Sequence, residues 1–263
     1  MIWQLKTKIY DNFDKPLLMG IVNATPDSFS DGGCFFEPER AVEQGLRLLE
    51  NGVDLLDIGG ESTRPGADSV SVREELRRVV PVISGLVQKT NGNCVISIDT
   101  TKAAVAREAV AAGAEMVNDI SACTFDPEMI DVLRETGVGV CVMHTQGTPK
   151  TMQFCPAYPD DNPVPTVFGF LRDRIAVLVS CGIAWEKIAV DPGLGFGKTY
   201  EHNCHLIREI AKFHGLKRPV LVGHSRKSFL KTRYPGLDRD TATATLTRDL
   251  ISQGVQILRV HEI

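Results

Sequence analysis

The segment LLMGIVNATPDSFSDGG, residues 17–33, joins two stretches of opposite character. Its first part, LLMGIV, is almost wholly apolar, as expected for a parallel β-strand covered on both faces. Its second part is rich in Asn, Thr, Pro, Asp, Ser and Gly, the residues that form turns and loops. Small side-chain oxygens crowd the exit of a buried strand, which favours a binding site for a polar ligand. A surface loop without a binding role is the alternative.

The rest of the chain repeats this order of apolar strand, polar loop and amphipathic helix. A glycine that can end a helix precedes the next strand at positions 52, 113, 137, 182 and 254. We predict strands at 17–23, 54–58, 94–99, 115–119, 138–143, 187–191, 219–223 and 256–260. We predict helices near 38–51, 71–88, 102–112, 127–136, 166–181, 202–213 and 240–253.

Eight strands that alternate with helices predict an α/β fold, a (β/α)8 TIM barrel that forms one domain over residues 1–263. A doubly wound open sheet is the alternative, although no GxGxxG follows the first strand. Residues 1–15 predict a short N-terminal β-hairpin with its turn at Asp11–Asp14. The sequence stops at Ile263, so we expect the last helix to be absent and the uncovered side to form a subunit interface.

Composition narrows the classes of function. The net charge of −4 argues against general nucleic-acid binding, although local Arg and Lys can still bind an anion. No apolar run approaches the roughly 18 residues of a membrane span, and the N-terminus lacks a signal-peptide core. Seven scattered cysteines without a CxxC pair predict a reducing compartment. We therefore expect no nucleic-acid partner, no membrane association and a cytoplasmic location.

Nearly every predicted strand ends in a polar or charged group, and a TIM barrel places its chemistry at these carboxyl ends. In chain order they are Asn23, Asp57 with GGESTRPG (59–66), Asp99, Asn118 with Asp119, Met143 with His144, Asp191, HSRK (224–227) and RVH (259–261). Single members have structural explanations, since Asp99 or Asp119 could cap a helix and His144 could lie in the core. Lys227 could be a solvated lysine. A scaffold needs no complete ring, so the set predicts a functional site.

Two kinds of side chain share this ring. The donors suited to phosphate oxygens are Arg64, Arg226, Lys227, Arg259 and His261. The groups suited to a heterocycle's donor edge or to a developing cation are Asp99, Asn118 and Asp191. Asn23 and Asp27 offer oxygen ligands for a Mg²⁺ ion that also binds substrate phosphates and water. The glycines of DPGLGFGK (191–198) lack P-loop spacing.

Eight motifs, spread in order over nearly the whole chain, resemble the dihydropteroate synthase family. They are NATPDSFSDGG (23–33), DIGGESTRPGA (57–67), SIDT (97–100), VNDIS (117–121), VMHTQGTPKTMQ (142–153), DPGLGFGK (191–198), GHSRK (223–227) and RVHEI (259–263). The resemblance implies a TIM barrel that joins 6-hydroxymethyl-7,8-dihydropterin diphosphate to p-aminobenzoate in folate synthesis. The products would be 7,8-dihydropteroate and pyrophosphate. It also implies a cytoplasmic homodimer and competition by sulfonamides for the p-aminobenzoate site.

The resemblance assigns residues to three subsites. The implied pterin pocket is Asp99, Asn118, Asp191 and Lys227, with Met143 and Phe196 as apolar walls. The implied diphosphate site is Asn23 through Mg²⁺, with Thr63, Arg64, Arg259 and His261. The implied aminobenzoate site is Ser225, with Lys227, Phe196 and Pro65 nearby; Ser225 is expected to open a helical segment. The implied catalytic residues are Asp99, Lys227, Arg259 and His261.

The implied reaction breaks the pterin methylene C–O bond ahead of attack by the aromatic amine, without a protein nucleophile. Loops 24–36 and 62–70 are expected to close over the cation and exclude water. Two positions depart from the family: Glu262 stands where RVHDV is more usual, and Thr145 replaces a methionine. The alternatives are a pterin-binding methyltransferase domain that uses methyltetrahydrofolate and a non-catalytic paralogue. The motifs SRK and TPDSFSDGG argue against the first, and intact Asp99, Lys227, Arg259 and His261 argue against the second.

Overall fold

The computed structural model describes residues 1–25 and 38–262. Its strands are β1 (Trp3–Gln4), β2 (Ile9–Tyr10), β3 (Leu17–Asn23), β4 (Leu55–Gly59), β5 (Val95–Asp99), β6 (Met116–Asp119), β7 (Gly139–Met143), β8 (Ile188–Asp191), β9 (Leu221–Gly223) and β10 (Ile257–Val260). Strands β3 to β10 form one parallel sheet in the order β8-β7-β6-β5-β4-β3-β10-β9. A bridge between Val190 and Val220 joins its two ends. The predicted TIM barrel is confirmed, rather than an open sheet.

The helices are α1 (Pro38–Glu50), α2 (Val72–Thr90), α3 (Ala103–Ala111), α4 (Met129–Thr136), α5 (Pro163–Ser180), α6 (Tyr200–Arg208), α7 (Phe229–Arg233) and α8 (Arg239–Ser252). The helix predicted at 202–213 is divided into α6 and a 3-10 helix, Ile210–Leu216. The short α7 was not predicted. Within residues 1–25 and 38–262, no helix follows β10. No described helix has both the length and the apolarity that a membrane crossing requires.

The first turn of α2 shows how the sequence sets a helix boundary. The Ser71 hydroxyl oxygen accepts a hydrogen bond from the Glu74 backbone N–H at 3.2 Å, as a helix cap does. The reciprocal half of a capping box is not formed, because the Glu74 carboxylate binds Arg77 and Arg78 instead. Helix α2 then continues through Pro81 to Thr90. This helix packs against the end of β4, where one of the site loops begins.

The N-terminal hairpin closes the bottom of the barrel. Trp3 pairs with Tyr10, and the turn lies at residues 5–8, where the Leu5 N–H donates to the Lys8 carbonyl at 2.8 Å. The turn predicted at Asp11–Asp14 is therefore wrong. The earlier turn lets Trp3 and Leu5, which are 0% and 1% exposed, insert among the lower side chains of the barrel interior. Apolar burial, rather than turn chemistry, sets the hairpin's position.

Side chains inside the barrel lie in layers, because alternate residues of each strand point inward. The lower layer is apolar and contains Met19, Leu55, Val95, Met116, Cys141, Ala189, Leu221 and Ile257. Two residues further along the same strands stand Ile21, Asp57, Ser97, Asn118, Met143, Asp191, Gly223 and Arg259. The alternation of inward and outward side chains therefore brings the polar strand-end residues to one inner surface, above the lower apolar layer.

Candidate active site

The side chain of Arg259 lies at the centre of the strand-end ring. Its Nε donates to Asp57 Oδ2 at 2.5 Å, and a terminal nitrogen donates to Asp99 Oδ2 at 2.7 Å. The Asn118 amide donates to the same Asp57 oxygen at 3.0 Å. One guanidinium thus links residues from β10, β4 and β5, with β6 joined through Asn118. These four side chains share one continuous hydrogen-bond network.

Asp57 is the member of this network to which the sequence assigned no role. It is fully buried, and its Oδ1 has no hydrogen-bond partner among the described residues. A buried carboxylate requires a compensating charge, which Arg259 supplies. The sequence could have indicated this position, because alternate residues of β4 point into the barrel and Asp57 lies two residues after Leu55. That pattern gives the position of the carboxylate but not its partner.

Burial and neighbouring charge set the protonation of this network. Burial raises the pKa of Asp99 above its ordinary value, and the Arg259 cation opposes that rise. Burial lowers the pKa of Arg259, but Asp57 and Asp99 more than offset this effect, so its pKa lies above the usual range. Arg259 is therefore a permanent cation in the barrel. It is bound to the carboxylates of Asp57 and Asp99, so an additional anion would share its N–H donors with them.

The carboxylate of Asp191, which forms a second charged pair with Lys227, lies beside Arg259. Asp191 ends β8, is 6% exposed, and accepts the Gly193 N–H at 2.7 Å. Gly223 of β9 separates the two groups: a Cβ there would lie 3.9 Å from Asp191 Oδ2 and 3.8 Å from Arg259 Cδ. A longer side chain at this glycine would enter the space between the carboxylate and the cation. The missing side chain keeps that part of the barrel mouth open.

Lys227 lies on the Asp191 side of the mouth. Its Nζ donates to the Leu194 carbonyl and stands 4.3 Å from the centroid of the Phe196 ring, a cation–π distance. Burial lowers the pKa of Lys227 to about 8, although the Asp191 carboxylate favours its charged form. Burial also raises the pKa of Asp191, and Lys227 opposes that shift. The lysine and the carboxylate therefore stabilise each other's charged forms.

Ser225 and His261 meet at the end of β10. The two side chains are joined by a hydrogen bond of 2.9 Å between Ser225 Oγ and His261 Nδ1, and the His261 N–H donates to the same oxygen at 3.2 Å. Burial, followed by the nearby cations Arg259 and Arg226, lowers the pKa of His261 to about 4. This shift opposes the cationic form that the sequence predicted for His261. Its neutral ring remains a hydrogen-bonding group.

Arg226 also differs from its expected role as a phosphate donor. Its Nε lies 2.6 Å from Asp240 Oδ1, and a terminal nitrogen lies 3.1 Å from Glu262 Oε2. Its positive φ of 57° places it in the left-handed region, in a turn before α7. Ser225 therefore lies in a turn and does not open a helix. The departure at Glu262 keeps a carboxylate that pairs with Arg226.

The predicted loop residues Thr63, Arg64 and Pro65 lie at the rim of the mouth. Thr63 is half-buried, whereas Arg64 and Pro65 are exposed. Arg64 is close enough for its charge to lower the pKa of His261. A cavity of about 410 Å³ lies beneath this loop, and its lining includes Thr63, Asp99 and the β6 loop residue Ile120. The rim loop therefore faces the same space as the inner carboxylate.

Asn23 is exposed at the end of β3 and pairs in register with Gly59, which pairs with Asp99. Asp27 and most of loop 24–36 lie outside the described residues. Within the described ranges, no cluster of three or more His, Cys, Asp or Glu side chains could enclose a metal ion. One amide oxygen at the mouth fits a Mg²⁺ ion carried mainly by substrate phosphates and water. It does not fit a closed protein cage.

The loops after β7 and β8 are joined by a buried lysine that the sequence did not single out. Lys198 is 3% exposed, and its Nζ donates to the Phe196 carbonyl at 2.9 Å and lies 3.1 Å from His144 Nδ1. His144 is 6% exposed and bonded to Lys198, as its core interpretation expects, and burial lowers its pKa to about 3. Lys198 thereby supports the loop that carries Phe196. Thr145 is the other position that departs from the family pattern. Its hydroxyl is buried and has no hydrogen-bond partner among the described residues.

The structure therefore brings together the side chains that the sequence placed at the strand ends. Arg259, Asp99 and Asn118 share one network, and Asp191 and Lys227 lie beside it. The remaining predicted residues lie around this centre. Met143 is buried at the end of β7, opposite Asp191 in register, and Phe196 lies against Lys227.

Comparisons with known proteins agree on one family. A family model described as pterin binding enzyme matches residues 19–261. The dihydropteroate synthase of Escherichia coli (strain K12) is 42% identical over 250 residues, which cover 94% of this chain and 87% of that protein. The solved Yersinia pestis dihydropteroate synthase in a sulfonamide drug complex has a TM-score of 0.90 and 41% identity, and the match covers 100% of this chain and 93% of that one.

A third match is dihydropteroate synthase from Xanthomonas albilineans in complex with 7,8-dihydropteroate. It has a TM-score of 0.85 and 38% identity, and the match covers 100% of this chain and 94% of that chain. The family match begins within β3 and ends at residue 261, after β10, so it includes the carboxyl end of every barrel strand. These relatives support the synthase expectation and not the methyltransferase alternative. The chain belongs to the dihydropteroate synthase family of pterin-binding enzymes.

Proposed function

We propose that this protein condenses 6-hydroxymethyl-7,8-dihydropterin diphosphate with p-aminobenzoate to give 7,8-dihydropteroate and pyrophosphate. It is a dihydropteroate synthase, a transferase of folate synthesis, as its relatives are. The observation that carries the proposal is the placement of Arg259 between Asp57 and Asp99, beside Asp191 and Lys227. One mouth then offers a cation for a leaving anion and carboxylates for a flat nitrogen heterocycle.

We place the pterin against the carboxylate side of the mouth. A pterin has an aminopyrimidinone edge with paired N–H donors, which a carboxylate such as Asp191 accepts. Asn118 and Lys227 can serve the ring's remaining polar atoms. Met143 and Phe196 offer apolar surface to its faces. The buried setting of Asp191 supports this assignment, because a buried carboxylate favours a ligand that donates hydrogen bonds to it.

We place the diphosphate toward the rim. Arg259 lies deepest, and Arg64 and Thr63 stand on the loop above it. His261 can contribute hydrogen bonds; burial and nearby cations lower its pKa, and a bound diphosphate would oppose that shift. Asn23 would hold a Mg²⁺ ion bound to the diphosphate oxygens, and that ion would neutralise charge on the leaving group.

We place p-aminobenzoate between Ser225 and the rim loop. The Ser225 hydroxyl and the Lys227 ammonium suit its carboxylate. Phe196, 4.3 Å from Lys227, offers a flat surface for its ring, and Pro65 offers a second apolar contact from the rim. A sulfonamide that occupied this subsite would compete with p-aminobenzoate.

The reaction in this site is a displacement at the pterin methylene carbon. The C–O bond breaks and its electron pair leaves with the diphosphate, which Arg259 and Arg64 stabilise. Asp99 favours the pterin cation that remains. The amine of p-aminobenzoate then forms the C–N bond and releases one proton to solvent. No protein atom forms a covalent bond in this sequence.

We further propose a cytoplasmic homodimer. Support for a second copy comes from exposed apolar side chains on the barrel helices: Ile251 of α8 is 43% exposed, and Val177 and Val179 of α5 are 39% and 40% exposed. Seven cysteines without a CxxC pair favour a reducing compartment. Light scattering at micromolar concentration tests the dimer, and a monomeric mass would contradict it. Cell fractionation tests the location.

The proposed activity is tested by pyrophosphate release from the pterin diphosphate, with and without p-aminobenzoate. Release over many turnovers is expected to require the aromatic amine, because the amine captures the pterin cation that remains after the C–O bond breaks. Release over many turnovers without the amine would identify a hydrolase. No release, together with tight pterin binding, would support a non-catalytic paralogue.

A further inference from the structure

Lys102 lies between two carboxylates outside the network described above. Its Nζ is 2.5 Å from Glu61 Oε2 and 2.5 Å from Glu75 Oε2. The Glu75 side chain is fully buried, and those of Lys102 and Glu61 are 22% and 18% exposed. Burial lowers the pKa of Lys102, but its bonds to the two carboxylates more than offset this, so the pKa lies above its ordinary value. This lysine is a fixed positive charge.

Glu61 closes the rim loop on itself. The loop begins at Glu61, just after β4, and its other end is Val70, just before α2. The Glu61 Oε2 that contacts Lys102 also accepts the Val70 backbone N–H at 2.8 Å. One carboxylate oxygen therefore ties the two ends of loop 61–70 together. Thr63 and Arg64 lie between these ends.

Glu75 connects the same lysine to the strand that carries Asp99. It lies in the first turn of α2, and its Oε1 accepts the Thr100 hydroxyl at 2.6 Å. The Thr100 oxygen in turn accepts the Lys102 backbone N–H at 3.2 Å. Thr100 directly follows Asp99 at the end of β5. The buried glutamate, the threonine and the lysine thus form one unit next to an inner carboxylate of the site.

The base of the loop is held tightly against α2. Arg78 of α2 donates to the Gly60 carbonyl at 2.8 Å. A Cβ at Gly60 would lie 2.7 Å from a Val79 methyl group and 3.0 Å from Glu75 Cγ, so only glycine fits there. This close packing fixes where the loop starts. Beyond Gly60 the loop is held by Glu61, whose carboxylate contacts Lys102, and by the Gly66 N–H, which donates to the Pro149 carbonyl at 3.0 Å.

We propose that Lys102 is a positioning residue that sets loop 61–70, and with it Thr63 and Arg64, relative to Asp99. The proposal rests on the proposed function, because the position of the loop matters for catalysis only if Thr63 and Arg64 bind the diphosphate. Lys102 binds Glu61, which ties the two ends of the loop together. It also binds Glu75, which is bonded to Thr100 next to Asp99. Lys102 also lines the cavity beneath the loop, and it acts on the loop through these two residues.

A purely stabilising role would not require these charges. Replacing a buried ion pair by apolar groups of similar volume is often neutral or stabilising, whereas removing one partner leaves an uncompensated charge. An Lys102→Met/Glu75→Gln double variant removes the charge of both partners. It keeps a side chain of similar length at position 102 and an amide oxygen for the Thr100 hydroxyl. Its stability should therefore stay near that of the wild type while Glu61 loses its cation.

The first measurement needs no variant. The Val70 amide of the wild-type protein should exchange with solvent at least about 100-fold more slowly than an open loop amide, because Glu61 holds it. In the double variant this exchange should accelerate at least tenfold. Lys102→Arg should keep slow exchange, because a guanidinium also donates to two carboxylates. Lys150→Met is the matched control, because Lys150 pairs with exposed Asp68 of the same loop at 3.1 Å.

The kinetic measurement separates position from general damage. In the double variant, the KM for the pterin diphosphate should rise at least tenfold, while the Kd for a pterin without diphosphate changes less than twofold. In Lys102→Arg the KM should stay close to the wild-type value, and in Lys150→Met it should be unchanged. The proposal is overturned if the wild-type Val70 amide exchanges as fast as an open loop amide. It is also overturned if the double variant keeps both the slow Val70 exchange and the wild-type KM for the pterin diphosphate. Exchange is measured without substrate, so failure of the proposed function leaves that result unaffected.

Discussion

Arg259 and Asp57 are 202 residues apart in the chain, yet the Arg259 Nε lies 2.5 Å from Asp57 Oδ2 inside the barrel. Parallel strands β10 and β4 both flank β3, and their inward faces bring the two side chains together. Asp57 is fully buried, so the guanidinium is held by a charge that solvent does not reach. The same cation contacts Asp99. This pairing fixes the direction in which Arg259 faces the mouth.

Replacing Arg259 tests this arrangement. Arg259→Lys keeps the charge but loses the planar fork that contacts two carboxylates. We expect kcat/KM for the pterin diphosphate to fall about 100-fold, while the Kd for a pterin without diphosphate changes little. Steady-state kinetics and titration calorimetry measure the two quantities. Exposed Arg248→Lys on α8 is the control. Equal losses in both quantities would contradict a role confined to the diphosphate.

Removing the Lys227 side chain should affect both substrates. Lys227 lies between Asp191 and the Phe196 ring, where the pterin and the aminobenzoate subsites meet. We expect Lys227→Ala to raise the KM for each substrate at least about tenfold, the loss of one charge-assisted hydrogen bond. Exposed Lys231→Ala on α7 should leave both values unchanged. Unchanged turnover in Lys227→Ala would remove this lysine from the site.

The pH dependence of the reaction should report the same lysine. Burial lowers the pKa of Lys227 to about 8, so it is charged below pH 8 and becomes neutral as the pH rises through that value. We expect kcat/KM to decline above about pH 8. In Lys227→Arg the guanidinium stays charged, so the decline should move to higher pH. An unshifted alkaline limb in this variant would assign the ionisation to another group.

Acid should destabilise the fold through His224. This residue is fully buried, its Nε2 bonds to the Thr247 hydroxyl at 2.7 Å, and burial lowers its pKa to about 4. The unfolded chain binds a proton near pH 6.5 and the folded chain does not, so stability falls as the pH drops from 6.5 toward 4. In urea unfolding, the wild type should lose up to about 3 kcal/mol more than His224→Asn over this range. Parallel losses would contradict the assignment.

Metal removal tests the proposed role of Asn23. We expect excess chelator to abolish synthesis and added Mg²⁺ to restore it, because one amide oxygen and the diphosphate would hold the ion together. Pterin binding without diphosphate should be insensitive to the chelator. Asn23→Ala should raise the Mg²⁺ concentration needed for half-maximal activity. Full activity in excess chelator would exclude the metal role of Asn23.

The strand periodicity accounts for how much of the fold and site could be predicted from the sequence. Most apolar strands ended in a polar residue, so the barrel and the convergence of Asp99, Asp191 and Arg259 could be expected. The hairpin turn could not be placed, because the burial of Trp3 in the barrel, and not local turn chemistry, decides it.

Pairings between distant charges could not be predicted. Nothing local to Lys102 indicates that its charge lies between Glu61 and Glu75, and nothing local to Arg226 indicates that Asp240 and Glu262 neutralise it. A single sequence shows which residues can carry charge. Packing decides which of those charges remain available to a ligand.

A crystal structure of the protein with 7,8-dihydropteroate would show whether the pterin and aminobenzoate groups both lie in the barrel mouth. We predict that the pterin edge will lie within about 3 Å of the Asp191 carboxylate, with the aminobenzoate carboxylate near Ser225. Arg259 should remain bound to Asp57 at the diphosphate end. Ligand bound instead in the outer cleft of about 630 Å³ between α2 and α3, with the barrel mouth free, would contradict the account.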